Sequence, residues 1–174
     1  MNATTVKPRA YILDACCGSR MFYPVKDRED VIFMDIRDED YRISWEDKER
    51  EVSVRPDVVG DFRSMPFPDS SFKMVVFDPP HLFHGSGIMS IKYGKLDRAS
   101  WKEDLRQGFM ECMRVLEPCG VLLFKWSDAD VSYSEVRPLF PCEPLIVQYV
   151  GGGRTTRWTV FTKPRYDYPL EALE

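Results

Sequence analysis

Five short apolar runs constrain this chain more than any other feature. They are Ala10-Tyr11-Ile12-Leu13, Val31-Ile32-Phe33-Met34, Asp57-Val58-Val59, Met74-Val75-Val76-Phe77 and Val121-Leu122-Leu123-Phe124. Runs this short and β-branched suit strands buried on both faces, the pattern of a parallel sheet. Four of the five end at a charged residue: Asp14, Asp35, Asp78 and Lys125. Ligands of open α/β sheets bind outside the carboxyl ends of the strands, so these four ends are candidate site residues.

The segments between the runs complete the expected fold. Trp101, Leu105, Phe109, Met113 and Leu116 recur at intervals of three or four, one face of an amphipathic helix with Ser100 as N-cap and Pro118-Cys119-Gly120 as the stop. From Tyr41 to Val54, apolar and polar residues alternate around Glu46-Asp47-Lys48-Glu49-Arg50, which predicts a short exposed hairpin rather than a crossover helix. The runs Leu145 to Val150 and Arg157 to Thr162, joined by Gly151-Gly152-Gly153, predict an antiparallel hairpin at the sheet edge. The expected fold class is therefore α/β: a Rossmann-like, mostly parallel sheet with an antiparallel C-terminal hairpin strand. At 174 residues the chain is expected to form one domain, residues 1–174, with no separate recognition domain.

Composition narrows the partners. With 24 basic and 28 acidic residues the net charge is −4, which argues against coating nucleic acid by bulk charge and leaves a local basic face as the route to such a partner. The five cysteines form no Cys-x-x-Cys pair, and His81 and His84 are the two histidines, so neither a disulfide framework nor a metal site is expected. No apolar run approaches the roughly 18 residues of a membrane span, and Met1 to Lys7 lacks a signal-peptide core. The expected setting is soluble and cytoplasmic, away from membranes, with an oligomer or partner subunit left open.

Ile12-Leu13-Asp14-Ala15-Cys16-Cys17-Gly18-Ser19 is a strand running into a turn of small residues, where Asp14, Ala15, Cys16 and Gly18 let a ligand approach the backbone. A following helix is expected to direct N–H groups at it. Of the glycines in a dinucleotide fingerprint only Gly18 is present, which argues against a pyrophosphate-bearing cofactor. Asp35, followed by Ile36, stands where a carboxylate accepts hydrogen bonds from both hydroxyls of a ribose, and the bland alternative is a solvated side chain in the acidic stretch Asp35 to Asp40. Asp61, with Phe62, follows the third run and can accept from an adenine amino group. Three carboxylates after three strands suit a ligand with an amine, a ribose and an adenine, which describes S-adenosylmethionine.

From about Tyr11 to Lys125 the chain resembles class I S-adenosylmethionine-dependent methyltransferases. Ile12 to Gly18 looks like the first motif of that family, with Cys16 where a glycine is usual. The stretch Gly60-Asp61-Phe62 to Phe72 is similar to the family's adenine-contacting segment, and Arg114-Val115-Leu116-Glu117-Pro118-Cys119-Gly120 matches its helix stop before the fifth strand. The layout, with Cys-Cys-Gly-Ser-Arg and Asp-Pro-Pro-His, looks closest to small methyltransferase-like proteins of phages and prophages. The resemblance implies the cofactor S-adenosylmethionine.

Asp78-Pro79-Pro80-His81 resembles the Asp/Asn-Pro-Pro-aromatic motif of amino-methyltransferases, whose acceptors include adenine N6, cytosine N4 and glutamine side chains. An exocyclic amine is a poor nucleophile because its lone pair is delocalised. A carboxylate and a backbone carbonyl that each accept one N–H favour a pyramidal nitrogen. Prolines fix φ and carry no N–H, so the turn presents its carbonyls rigidly. His81 stands where the family has Tyr, Phe or Trp, and it either stacks on the acceptor or moves a proton. The loop from Leu82 to Ser100, with Gly85, Gly87 and Gly94, is expected to act as a lid, and its His84, Lys92 and Tyr93 to meet the acceptor. Lys125 could hold a phosphate or carboxylate, and Trp126 is expected to pack. Arg154, Arg157, Lys163 and Arg165 form a second basic cluster suggestive of nucleic acid. Cys16 and Cys17 are small turn residues rather than nucleophiles. Three functions remain open here: methylation of an exocyclic amine of a DNA or RNA base, adenine N6 foremost; methylation of a small metabolite or free nucleotide; and a cofactor-binding module without catalysis.

Overall fold

The apolar runs do become strands. The computed structural model describes residues 10–45, 48–85, 88–150 and 156–165. Its elements are β1 (Ile12–Asp14), β2 (Val31–Asp35), β3 (Glu39–Trp45), β4 (Lys48–Val54), β5 (Val58–Val59), β6 (Phe72–Phe77), α1 (Ile88–Tyr93), α2 (Trp101–Val115), β7 (Leu116–Ser127), α3 (Tyr133–Val136), a 3-10 turn at Arg137–Leu139, β8 (Ile146–Val150) and β9 (Thr156–Thr162). Seven strands form one sheet in the order β5-β2-β1-β6-β7-β9-β8. The first five are parallel, and β9 runs antiparallel between β7 and β8. The tail hairpin thus lies at the sheet edge as expected; its connection, residues 151–155, is outside the described residues. The predicted exposed hairpin is the separate two-stranded sheet β3–β4, paired from Glu39↔Val54 to Trp45↔Lys48.

The core lies between the sheet and α2. The three-four spacing puts Leu105, Phe109, Cys112 and Val115 on one buried face of α2, against Val75 and Phe77 of β6 and Leu122, Phe124 and Trp126 of β7. Phe109 stacks on Phe140 at 4.2 Å and meets Phe161 edge-on at 5.1 Å. Each such ring contributes about 1.5–3 kcal/mol by leaving water. Gly108 is required here, because a Cβ would come within 2.5 Å of the Phe62 ring and 2.8 Å of Phe77.

Two local expectations need correction, and the segment expected to be a lid is partly helical. Residues 15–30, after β1, form a succession of turns with no helix, so no helix N-terminus is aimed at the end of β1. Pro24 interrupts the segment, and tertiary contacts hold it in turns: Arg20 bonds the carbonyls of Lys26 and Arg55 while its guanidinium lies 3.9 Å over the Phe33 ring. The loop from Leu82 to Ser100 contains α1, whose C-terminal end packs against Gly18. Finally, α2 stops at Val115, ahead of Pro118-Cys119-Gly120, because Leu116 turns extended and pairs with Phe72 of β6. Lys163 completes that stop, its ammonium donating to the carbonyls of Leu116 at 2.7 Å and Arg114 at 3.3 Å. Ser100 does stand at the N-cap, yet its hydroxyl bonds the Asp104 carboxylate rather than a backbone N–H.

Candidate functional site

Sheet register explains why the charged strand ends converge. Asp14 of β1 aligns with Phe33 of β2 and with Val76 of β6, and Val76 aligns with Leu123 of β7. Two residues further along the flanking strands come Asp35, Asp78 and Lys125. Because side chains alternate along a strand, they share one face at the carboxyl edge of the sheet with Asp14. All three carboxylates are buried, Asp14 to 1% exposure, Asp35 to 5% and Asp78 to 3%.

Each has a different environment. Asp14 accepts the Cys16 N–H at 3.2 Å; burial pushes its carboxyl up to about 7, with repulsion from Asp78 and Asp35 adding to the effect and the Cys16 bond opposing it. Asp35 accepts the Gly18 N–H at 2.9 Å and the backbone and guanidinium of Arg37 at 3.0–3.2 Å. Arg37 also donates to the carbonyls of Ile91 and Lys92, tying the C-terminal end of α1 across the end of β1. Gly18 itself has φ +48°, and a Cβ there would stand 2.6 Å from the Lys92 carbonyl oxygen. Its N–H is therefore spent on Asp35 and its open side on α1, where a direct ligand contact had been expected.

Beside Asp35 lies a cavity of about 270 Å³, close to the lower end of small-molecule pockets at roughly 300 Å³. Ala15, Cys16, Ile36, Asp61 and Phe62 line it together with Pro80, Tyr93, Leu96 and Asp104. Ile36 is 60% exposed, an apolar side chain held at the mouth. Asp61 is clasped by Arg63 at 2.6 Å, which also reaches Asp104 at 3.0 Å and keeps the Asp61 carboxyl below its ordinary range.

At the other end of the row, Lys125 donates to both carboxylate oxygens of Asp78, at 3.0 and 3.1 Å. Burial pushes the Asp78 carboxyl up to about 6 against the opposing pull of that ammonium. The ammonium lies 5.0 Å from the Phe22 ring centroid and 5.2 Å from that of Tyr93, and Phe22 meets Trp158 edge-on at 5.0 Å. Pro79 is buried and Pro80 half-buried. His81 is only 5% exposed, its ring 5.7 Å from Tyr93 and 6.1 Å from Trp126, so Tyr93 and Phe22, not the imidazole, offer the accessible flat surfaces. Trp126 packs as expected, fully buried with its indole N–H on the Val131 carbonyl.

Several residues assigned to the acceptor lie elsewhere. His84 is exposed and pairs with Arg98, whose guanidinium covers Phe83, and neither lines the cavity. The Lys92 ammonium turns toward the Met21 sulfur. In the basic tail cluster Lys163 caps α2 and Arg157 pairs with Asp128, while Arg154 falls outside the described residues. Burial drives the Cys16 and Cys17 thiols upward, consistent with turn residues rather than nucleophiles. Arg37, Arg63, Phe22 and Trp158 escaped sequence reasoning, although Arg37 and Arg63 each follow a predicted site carboxylate by two residues. Among the described residues no cluster of His, Cys, Asp or Glu is placed to hold a metal, and no helix is long and apolar enough to cross a membrane.

No protein-family model and no curated protein sequence matches the chain. Solved structures do. The PH0226 protein from Pyrococcus horikoshii OT3 aligns with a TM-score of 0.56 and 20% identity over 92% of this chain and 84% of its own. A SAM-dependent methyltransferase from Methanosarcina mazei aligns with a TM-score of 0.53 and 14% identity over 89% and 92% of the two chains. The N-methyltransferase NodS from Bradyrhizobium japonicum WM9, solved with S-adenosyl-L-homocysteine, gives 0.52 and 11% over 88% and 76%. With five parallel strands, an antiparallel strand inserted next to the edge and these matches, the chain has the class I S-adenosylmethionine-dependent methyltransferase fold.

Proposed function

We propose that this protein transfers the methyl group of S-adenosylmethionine to an exocyclic amino group of a nucleobase, with adenine N6 the first candidate. One observation carries the reading: Asp78, buried in a turn whose prolines have no N–H, already accepts two N–H···O bonds from an amine, the Lys125 ammonium. A carboxylate held this way is built to receive N–H donors.

The residues present fit the cofactor. Ala15, Ile36, Phe62 and Leu96 line the cavity as apolar surface suited to an adenine, and Asp61 and Asp35, which line it too, are the carboxylates suited to its amino group and to the ribose hydroxyls. Asp14 does not itself line the cavity, but its neighbours Ala15 and Cys16 do, and a positive charge bound beside them would favour the ionised form of a carboxyl that burial pushes toward neutrality. S-adenosylmethionine bound there supplies an electrophilic methyl carbon on a positively charged sulfur. The carboxylate of Asp35 is fully engaged by Gly18 and Arg37, so ribose recognition requires Arg37 to turn out, which also releases its hold on α1.

At the acceptor side, Asp78 and the Pro79 carbonyl each take one N–H of the amine. Held so, the nitrogen would aim its lone pair at the methyl carbon that the cofactor would supply, the C–S electron pair remaining on sulfur. The surplus proton leaves the nitrogen through Asp78, whose carboxyl sits at about 6 and can accept and pass it on near neutral pH. Structural neighbours include a Burkholderia thailandensis 1,6-didemethyltoxoflavin-N1-methyltransferase and a candidate rRNA-methylase from Clostridium thermocellum.

A free nucleotide or other small aromatic amine is the second reading. Its support is the internal pairing of the basic residues, with Lys163 on a helix end, Arg157 on Asp128 and Arg98 on His84. Incubation with labelled methyl donor and DNA, tRNA or nucleotides tests both: transfer is expected in the wild type, and Asp78→Ala should abolish it while still binding S-adenosyl-L-homocysteine. No transfer above that variant leaves only the inactive binding module. A steep salt dependence of acceptor binding identifies nucleic acid, and a shallow one a small molecule.

A further inference from the structure

We infer that Lys125 sets the charge class of the acceptor: ion-paired with Asp78 and faced by Phe22 and Tyr93, it makes the site one for a neutral planar amine and turns away a protonated aliphatic amine. This rests on the methyl-transfer reading above and specifies its acceptor.

The argument is a charge count in a dry place. The side chains of Asp78 and Lys125 are 2% and 12% exposed, on neighbouring strands at one level of the sheet. The titratable groups that interact with Asp78 are Lys125 from β7, Asp14 from β1, the Cys16 thiol from the turn after it and Tyr93 from α1. Asp78 and Lys125 cancel, and Asp14 is the carboxylate left for a cationic cofactor. A protonated amine arriving beside Lys125 would add a like charge where water cannot screen it. A neutral amine brings only N–H groups. A carboxylate has about four acceptor sites; Lys125 occupies two at 3.0 and 3.1 Å, which leaves the others for such N–H groups.

The surroundings agree with that charge class. The Phe22 and Tyr93 rings flank the ammonium at 5.0 and 5.2 Å, and Trp158 extends the apolar surface from Phe22. Flat rings suit a planar, conjugated acceptor that stacks, and Phe22 is 36% exposed, so an acceptor can reach it. The chemistry agrees too. A conjugated amine is already unprotonated at neutral pH, whereas an aliphatic ammonium must first lose a proton to a carboxylate whose basicity Lys125 reduces.

The test uses Lys125→Met, which keeps length and loses charge, and Lys125→Arg, which keeps charge. Methyl transfer is measured to adenosine and cytidine as neutral planar amines and to ethanolamine as a protonated one. The wild type should prefer the nucleosides by about a hundredfold or more, the scale of an unpaired charge in a dry site. Lys125→Met should shrink that preference at least about tenfold and move the acidic limb of the pH profile upward, while Lys125→Arg keeps both near wild type. NMR titration of the Asp78 carboxylate provides a readout without turnover, and it should titrate at higher pH in Lys125→Met. An unchanged preference or an unmoved titration in Lys125→Met overturns the inference and leaves methyl transfer standing. A wild type that prefers ethanolamine does the same. Absence of transfer to any amine brings down both.

Discussion

Substituting Asp14 by Asn keeps the side chain's size and an oxygen for the Cys16 N–H but removes a charge the fold holds at a cost. Burial raises the Asp14 carboxyl from 3.8 to about 7. A carboxyl whose folded value lies above its unfolded one favours folding below the unfolded value, and that contribution disappears as pH climbs through the folded value. With 1.36 kcal/mol per pH unit, the interval from 3.8 to about 7 amounts to about 4 kcal/mol. Wild type and Asp14→Asn should therefore be similar in stability near pH 4. Above pH 7 the variant should be the more stable by up to about 4 kcal/mol. Urea unfolding of both proteins at intervals between pH 4 and 8 measures the difference, in which the titration of the other carboxylates largely cancels. A difference that stays flat across that range would refute the burial argument for Asp14. The same charge should appear in ligand binding: S-adenosylmethionine affinity should rise with pH through 7 in the wild type and stay level in Asp14→Asn.

Arg37→Ala strands a buried carboxylate and should lower the stability of the free protein by about 3 kcal/mol. Yet it should bind S-adenosyl-L-homocysteine more tightly, because Asp35 no longer has to be released; weaker binding by calorimetry would show that Arg37 holds the ligand instead. Lys163→Met removes the cation from the carbonyl end of α2 and should cost about 1 kcal/mol in thermal or urea unfolding. It should leave the salt dependence of acceptor binding unchanged, and a shallower slope would return Lys163 to a nucleic-acid surface.

Much of this was legible in the residues. The five parallel strands lie on the five apolar runs, because a strand buried on both faces needs a continuous apolar segment and little else does. The hairpin β3–β4 and the face of α2 followed from periods of two and of three to four. The candidate site was legible for a related reason: polar groups ending such strands must face the crevice at the sheet edge. What escaped was set by long-range geometry. No spacing rule places Arg37 against both Asp35 and the carbonyls of α1, 54 and 55 residues away. The absence of a helix after β1 depends on Arg20 reaching Arg55, 35 residues on. His84 and the basic tail looked functional because charge composition cannot tell a solvated or pairing cation from one that awaits a ligand.

The order of apolar segments and the charges that end them, then, were properties of the chain alone, since burial on a sheet demands that pattern wherever the strands go. Which carboxylate meets which cation belonged to the tertiary structure. Register brings Asp78 beside Lys125, the tertiary fold sets the Asp35–Arg37 pair against Gly18 and the carbonyls of α1, and among the described residues no cation pairs with Asp14. The physical reason is that electrostatic energy in a low-dielectric interior depends on distances of a few ångströms between segments far apart in sequence.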